Sequence, residues 1–161
     1  MTEPELLNRM AALCSGSEHC IQDIQKKMAS ADLPPEAKER IIARLLQEKF
    51  IDEERFCRSF VRDKIRFNKW GRVKVGYELR RRNIPYSCYA DALEGFDMEE
   101  YRAILSGLLR EKKRSVRGKD QREVFYKLLR FAAGRGFESG ETIRCLKELD
   151  IETDDYEENT D

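Results

Sequence analysis

RRNIPYS, residues 81–87, has two counterparts in the chain, SADLPPE at 30–36 and GRGFESG at 134–140. Each follows a helix-like run with a residue tolerant of the left-handed conformation, then an apolar side chain. Asp32, Asn83 and Gly136 hold the first position. Glycine takes positive φ at a helix C-terminus most easily, and Asn and Asp tolerate it. Leu33, Ile84 and Phe137 are then expected to fold back onto the last helical turn. Pro34 and Pro85 stop the preceding helix and can open the next.

After each stretch, apolar residues at helical spacing predict another short helix. They are Ile41, Ile42, Leu45 and Leu46 in the first, Tyr89, Ala92 and Leu93 in the second, and Ile143, Leu146 and Leu149 in the third. The first two units lead into acidic starts, IDEERF at 51–56 and DMEEY at 97–101. Asp52 and Asp97 are predicted N-caps, with further acids in the first turn favoured by the helix dipole. Asp97 with Glu100 and Asp120 with Glu123 also fit capping boxes. The expectation is about nine helices in three units, 1–50, 51–96 and 97–150, followed by an acidic disordered tail at 151–161. Units this small must share apolar faces. The expected fold class is therefore all-α, a tandem array of three three-helix repeats, elongated and curved.

Composition points the same way. Four prolines and nine glycines in 161 residues leave few helix breakers. The longest alternating β-branched run is VKV at 73–75. The N-terminus MTEPELLNRM is acidic and polar where a secretory signal is basic and then apolar. No stretch approaches the roughly 18 apolar residues that span a membrane. Five scattered cysteines with no CxxC suit a reducing cytoplasm, as small apolar fillers.

Charged residues make up 39% of the chain, against roughly 25% in an ordinary domain, yet 31 bases balance 31 acids. The balance hides segregation. Residues 55–82 hold eleven basic and two acidic side chains, and residues 110–135 hold ten and three. Residues 1–54 hold seven and eleven, 83–109 one and five, and 136–161 two and ten. Local potential steers binding, so overall neutrality says little about partners.

On the helix that starts near Asp52, Phe56, Cys57, Phe60, Val61 and Ile65 form the stripe expected to be buried. Arg55, Arg58, Arg62, Arg66 and Lys69 form a separate ridge at steps of three and four. Like charges at that spacing repel by a few tenths of a kcal/mol per pair. The next helix adds Arg72, Lys74, Arg80, Arg81 and Arg82. Arginine outnumbers lysine in this block, which suits phosphate and carboxylate recognition. Phe67, Trp70 and Tyr77 lie among these cations, either to stack on bases or to pack between helices. The second block contains KKRSVRGKD at 112–120, which has no apolar stripe and reads as a loop or a frayed helix end carrying Lys112, Lys113, Arg114, Arg117 and Lys119. The two blocks are read as contacts for a polyanion, either nucleic-acid phosphates or an acidic protein groove; the plainer alternative is a solvated basic face. The stretch DIETDDYEENTD at 150–161 has seven acids and no base, reads as disordered, and is expected to shield the basic blocks.

No catalytic set is found. His19 is the lone histidine, and Cys14, His19 and Cys20 have no fourth ligand at zinc-like spacing. GRVKVGY at 71–77 has glycines but no GK[ST]. The pairs Glu53–Glu54 and Glu99–Glu100 sit at helix starts, where capping explains them. The protein is expected not to be an enzyme and to need neither metal nor cofactor.

Three stretches in order, LLQEKFIDEERFCRSFVRDKI at 45–65, WGRVKVGYELRRRNI at 70–84 and LLRFAAGRGFESGETIRCL at 128–146, resemble the RecX family, bacterial regulators of the recombinase RecA. The resemblance rests on Ile51, Asp52, Glu53 and Phe56, on Gly71, and on Arg135, Gly136 and Phe137, and it covers about residues 17–149. Asn83 stands where the family commonly has glycine. The resemblance implies tandem three-helix repeats and a monomeric cytoplasmic protein that binds along the groove of the RecA–single-stranded-DNA filament. Such a protein would block filament growth or promote disassembly, and so lower ATP hydrolysis, strand exchange and co-protease activity. Two other readings stay open at this level: a stand-alone nucleic-acid-binding protein with helix-turn-helix-like units, and a helical adaptor that touches no nucleic acid.

Overall fold

The computed structural model describes residues 1–151, and among them there are nine helices and no strand. They are α1 (Glu3–Gly16), α2 (Ile21–Met28), α3 (Pro35–Gln47), α4 (Glu53–Arg66), α5 (Arg72–Arg81), α6 (Tyr86–Glu94), α7 (Met98–Lys113), α8 (Gln121–Gly134) and α9 (Ser139–Glu148). The chain is all-α, as expected. The acidic tail lies, from residue 152 on, outside the described residues.

Compactness groups the helices in two units. One holds Met1–Val61 and Glu78–Ala92; the other holds Arg62–Tyr77 and the chain from Leu93 on. The division falls within α4, within α5 and within α6. In the first unit, Leu6, Met10 and Cys14 of α1 recur at steps of four and meet Ile24, Met28, Ile41, Leu45 and Ile51 in one core. Full burial of such side chains contributes about 1.5–3 kcal/mol each. In the second unit Tyr101, Leu105 and Leu109 of α7, Phe125, Leu128 and Ala132 of α8, and Cys145 and Leu146 of α9 are buried.

The predicted stripe of α4 is buried throughout: Phe56, Cys57, Phe60, Val61 and Ile65. Asp52 caps α4 by accepting the Arg55 N–H at 3.0 Å, and Asp120 caps α8 by accepting that of Glu123 at 2.8 Å. Asp97 accepts from Glu99 at 3.3 Å. The capping boxes differ from expectation. Glu100 turns to Arg66, at 2.6 and 3.1 Å, and Glu123 accepts the N–H of Lys119 at 3.3 Å. An arginine fork offers a carboxylate two charged donors where a cap offers one N–H.

Asn83 (φ 60°) and Gly136 (φ 93°) adopt the left-handed conformation. Ile84 and Phe137 then close their turns with N–H bonds to Leu79 and Ala132, and both are buried. Asp32 does not share this geometry. Its turn is closed instead by Ala31 N–H to Met28 C=O and Leu33 N–H to Ala31 C=O, both 3.0 Å, and Leu33 precedes a proline, which favours extended backbone. The left-handed residues missed from sequence are Lys49 (φ 62°), Lys69 (φ 56°) and Asp150 (φ 60°). Cys14, Cys20, Cys57 and Cys145 are buried, and burial raises the Cys20 thiol to about 11 and the Cys57 thiol to about 12.

Candidate nucleic-acid interface

The basic side chains of residues 55–82 divide between those engaged inside the fold and those left on its surface. In the first unit, Arg55 donates from Nε to Glu18 at 2.6 Å and from Nη2 to the carbonyls of Lys49 and Phe50 at 3.1 and 3.3 Å. It thereby ties the α3–α4 turn. Arg82 lies over the Phe60 ring at 4.8 Å and donates to the Glu78 carbonyl at 3.1 Å. Arg81 reaches the Glu78 carboxylate at 3.4 Å. Arg58 and Arg80 are exposed.

In the second unit, Arg66 holds Glu100 and covers the Phe96 ring at 5.7 Å, while Arg62 pairs with its neighbour Asp63 at 3.1 Å. Arg72 is more deeply engaged. Its guanidinium reaches Glu138 at 2.7 and 2.5 Å, lies 5.0 Å from the Tyr101 ring centre, and is only 19% exposed. Tyr101 donates its hydroxyl proton to Glu138 at 2.5 Å and accepts the Arg72 N–H at 2.9 Å. Burial, reinforced by the hydrogen bond to Glu138, pushes the Tyr101 phenol well above its ordinary pKa.

The start of α5 is capped from a distant part of the sequence. Gly71 N–H donates to the Arg135 carbonyl at 2.8 Å, and Val73 N–H donates to the Gly136 carbonyl at 3.0 Å. With the Arg72–Tyr101 bond, three of the N–H groups that a helix start leaves unsatisfied find partners here. The approach requires glycine on both sides. A Cβ at Gly71 would stand 2.2 Å from the Gly136 carbonyl carbon, and one at Gly136 would stand 2.3 Å from Lys74 Cβ. Arg135 Nη2 also donates to the carbonyls of Asn68 and Lys69, at 2.7 and 3.2 Å. Gly71 and the Arg135–Gly136–Phe137 run were visible in the sequence; their mutual contact was not.

The aromatics separate as well. Trp70 is half-buried beneath two ammonium groups, Lys74 at 4.4 Å and Lys64 at 5.0 Å from the ring centre. Phe67 is 77% exposed and Tyr77 50%. These two side chains are more open to solvent than that of Trp70. Lys69 is exposed in the same connection.

In the second block, Lys112 and Lys113 end α7, and Arg114, Arg117 and Lys119 lie in the connection to α8. All five are exposed, and Lys112 lies 5.2 Å from the Phe131 ring centre. No described helix is long and apolar enough to cross a membrane.

Residues 52–93 match the family model described as RecX, second three-helix domain. Over 143 residues the chain is 30% identical to the regulatory protein RecX of Prosthecochloris aestuarii, covering 89% of this chain and 92% of that one. It is 27% identical over 114 residues to the regulatory protein RecX of Oceanobacillus iheyensis, covering 71% of this chain and 42% of that protein. A crystal structure of regulatory protein RecX superposes with TM-score 0.82 at 26% identity, over 90% of this chain and 73% of the other. The crystal structure of RecX from Lactobacillus salivarius shares the fold, with TM-score 0.79 at 18% identity, over 93% and 97% of the two chains.

Proposed function

This chain belongs to the RecX family of regulatory proteins, and from that premise we propose that it binds the RecA–single-stranded-DNA filament and restrains it. It acts in the cytoplasm as a monomer, without cofactor or catalysis, and lowers filament growth, ATP hydrolysis, recombination and co-protease activity. The three helix triplets near 1–50, 51–96 and 97–150 serve as repeats along the filament. One observation carries the reading: after the internal ion pairs are made, exposed cations remain at Arg58, Lys69, Lys113, Arg114 and Lys119, with exposed Phe67 and Tyr77 among the aromatics. Cations supply contacts to phosphate, and ring faces suit unstacked bases. The committed guanidinium of Arg72 serves this surface indirectly, by fixing the start of α5.

The test is RecA's ATP hydrolysis on single-stranded DNA, with this protein added well below the recombinase concentration. Loss of hydrolysis at a small molar ratio is expected, since one molecule that stops filament growth affects many subunits. Full activity at equal concentrations would overturn inhibition. Tight binding to DNA without the recombinase, with a log–log salt slope near about −4 for six phosphates on a single strand, would favour a stand-alone nucleic-acid-binding protein instead.

A further inference from the structure

Two faces of α8 differ in character. Phe125, Leu128 and Ala132 are buried in the second unit. Arg122, Tyr126 and Arg130 recur at steps of four on another face, and all three are exposed. Side chains at that spacing stand one above the other, about 6 Å apart along the helix axis. The exposed face therefore runs cation, ring, cation. Its ring is held by the core. Tyr126 meets buried Phe125 at 5.3 Å between ring centres, with the planes 85° apart, and stays 39% exposed. The Arg122 guanidinium lies 5.9 Å from the Tyr126 ring centre, near the outer limit of a cation–π contact. A ring already fixed on one side has little freedom left to lose on binding.

These three residues line a concavity of about 410 Å³ at the α7–α8 corner, together with Lys119, Asp120 and Glu123. Sites for small ligands typically measure about 300–1,000 Å³. The α7–α8 connection is tied to α8 here: the Lys127 ammonium donates to the Arg117 carbonyl, and Glu123 accepts the Lys119 N–H at 3.3 Å. Both carboxylates in the wall are occupied. Asp120 accepts the Glu123 N–H at 2.8 Å, and Glu123 pairs with Lys127 at 3.1 Å. Among the described residues, no carboxylate forms an ion pair with Lys119 or Arg130. The wall is left positive around a partly open ring.

Cations alone would serve an acidic protein surface. A nucleotide within a single strand asks for more: a flat ring for its base, with positive charge on either side for the phosphates that flank it. The α8 face offers these in that order. We propose that Arg122, Tyr126 and Arg130 form a nucleotide subsite, with an unstacked base on the Tyr126 ring and the neighbouring phosphates on the two guanidinium groups and Lys119. This rests on the reading above that the protein meets single-stranded DNA, and it adds residues of α8 that charge counting does not single out. A duplex keeps its bases stacked and has no open face for Tyr126, so the subsite favours single strands.

The test measures binding of the full chain to a thymidine oligonucleotide and to an abasic oligonucleotide of the same length. Tyr126→Leu removes the ring and keeps an apolar side chain. It is expected to weaken binding of the thymidine strand roughly fivefold to a hundredfold and to leave the abasic strand unaffected. Tyr126→Phe keeps the ring and should bind as the unaltered chain does. Arg122→Gln with Arg130→Gln should weaken both strands alike and lower the log–log salt slope by about 1.4, if each neutralises one phosphate. Equal loss on the two strands with Tyr126→Leu would make the tyrosine a structural residue and overturn the subsite. Unchanged affinity for both, in a chain that does bind the thymidine strand, would overturn the subsite alone and leave the concavity to an acidic protein segment. No binding of the thymidine strand by the unaltered chain, even at low salt, would overturn the subsite and the direct DNA contact together.

Discussion

The stretch at 55–82 and the α7–α8 corner carry the same sequence signature, dense positive charge with few acids, yet they use it differently. In the first, Arg55, Arg66, Arg72 and Arg82 engage carboxylates, carbonyls and rings of the fold itself. In the second, Lys113, Arg114 and Lys119 project from a helix end and a turn with no ion pair among the described residues. Charge density in the sequence therefore does not measure charge available to a partner. The guanidinium fork can serve a carboxylate and a carbonyl together while its stem packs on a ring, and arginines in the first region do so.

The sharpest way to break the comparison is at the glycine contact that holds the first region in place. Gly136→Ala puts a Cβ against Lys74 at a left-handed residue, and Gly71→Ala puts one against the backbone at Gly136. Each is expected to destabilise the fold by about 3 kcal/mol or more, through overpacking against backbone that cannot turn aside. Urea denaturation measures it. Wild-type midpoints in both variants would show that the start of α5 is not held by this contact.

A smaller effect separates the roles of the two regions. Arg72→Gln removes the charged hydrogen bonds to Glu138 and leaves that carboxylate against Tyr101, for an expected loss of about 2 kcal/mol. Lys113→Gln with Arg114→Gln should change stability by less than about 0.5 kcal/mol. On single-stranded DNA the order reverses. The Lys113 and Arg114 pair is expected to lower the salt slope by about 1.4, if each neutralises one phosphate, while Arg72→Gln leaves the slope unchanged at temperatures where the fold is intact. Equal slopes in the two variants would remove the distinction between the regions.

What was legible in the sequence follows the range of the interactions. The α4 stripe, the caps Asp52 and Asp120, and the turns at Asn83 and Gly136 depend on residues within one or two helical turns, so spacing exposes them. The Arg72–Glu138 pair joins residues 66 apart, and Tyr101 lies 29 positions from the N–H it accepts. No local period marks such a contact. Lys49 and Lys69 take positive φ although lysine has no intrinsic preference for it. Burial of Ile51, whose N–H reaches back to the Leu45 carbonyl at 3.1 Å, offers the compensation at the first of these sites. Among the candidate interface residues, type and rough location were readable from charge counts. Engagement was not, because it depends on which acids the fold brings near.

The smallest effect concerns two glutamates, each in the first turn of its helix and therefore favoured alike by the helix dipole. Glu53 in α4 accepts the Ile21 N–H at 3.1 Å, yet burial pushes its carboxyl above the ordinary 4.5. Glu141 in α9 is held below 4.5 by its hydrogen bond to Arg102. The signs of their linkage to folding are opposite. The contribution of Glu141 is fully present above 4.5 and is lost as pH falls through its lowered folded value. That of Glu53 is fully present below 4.5 and is lost as pH rises through its raised folded value. Thermal midpoints from about pH 3 to about pH 7 should therefore show Glu141→Gln flattening the loss of stability on the acid side. Glu53→Gln should instead remove a decline on the way toward neutrality. Parallel curves for both variants would mean that the dipole, common to the two positions, outweighs burial at one and the arginine at the other.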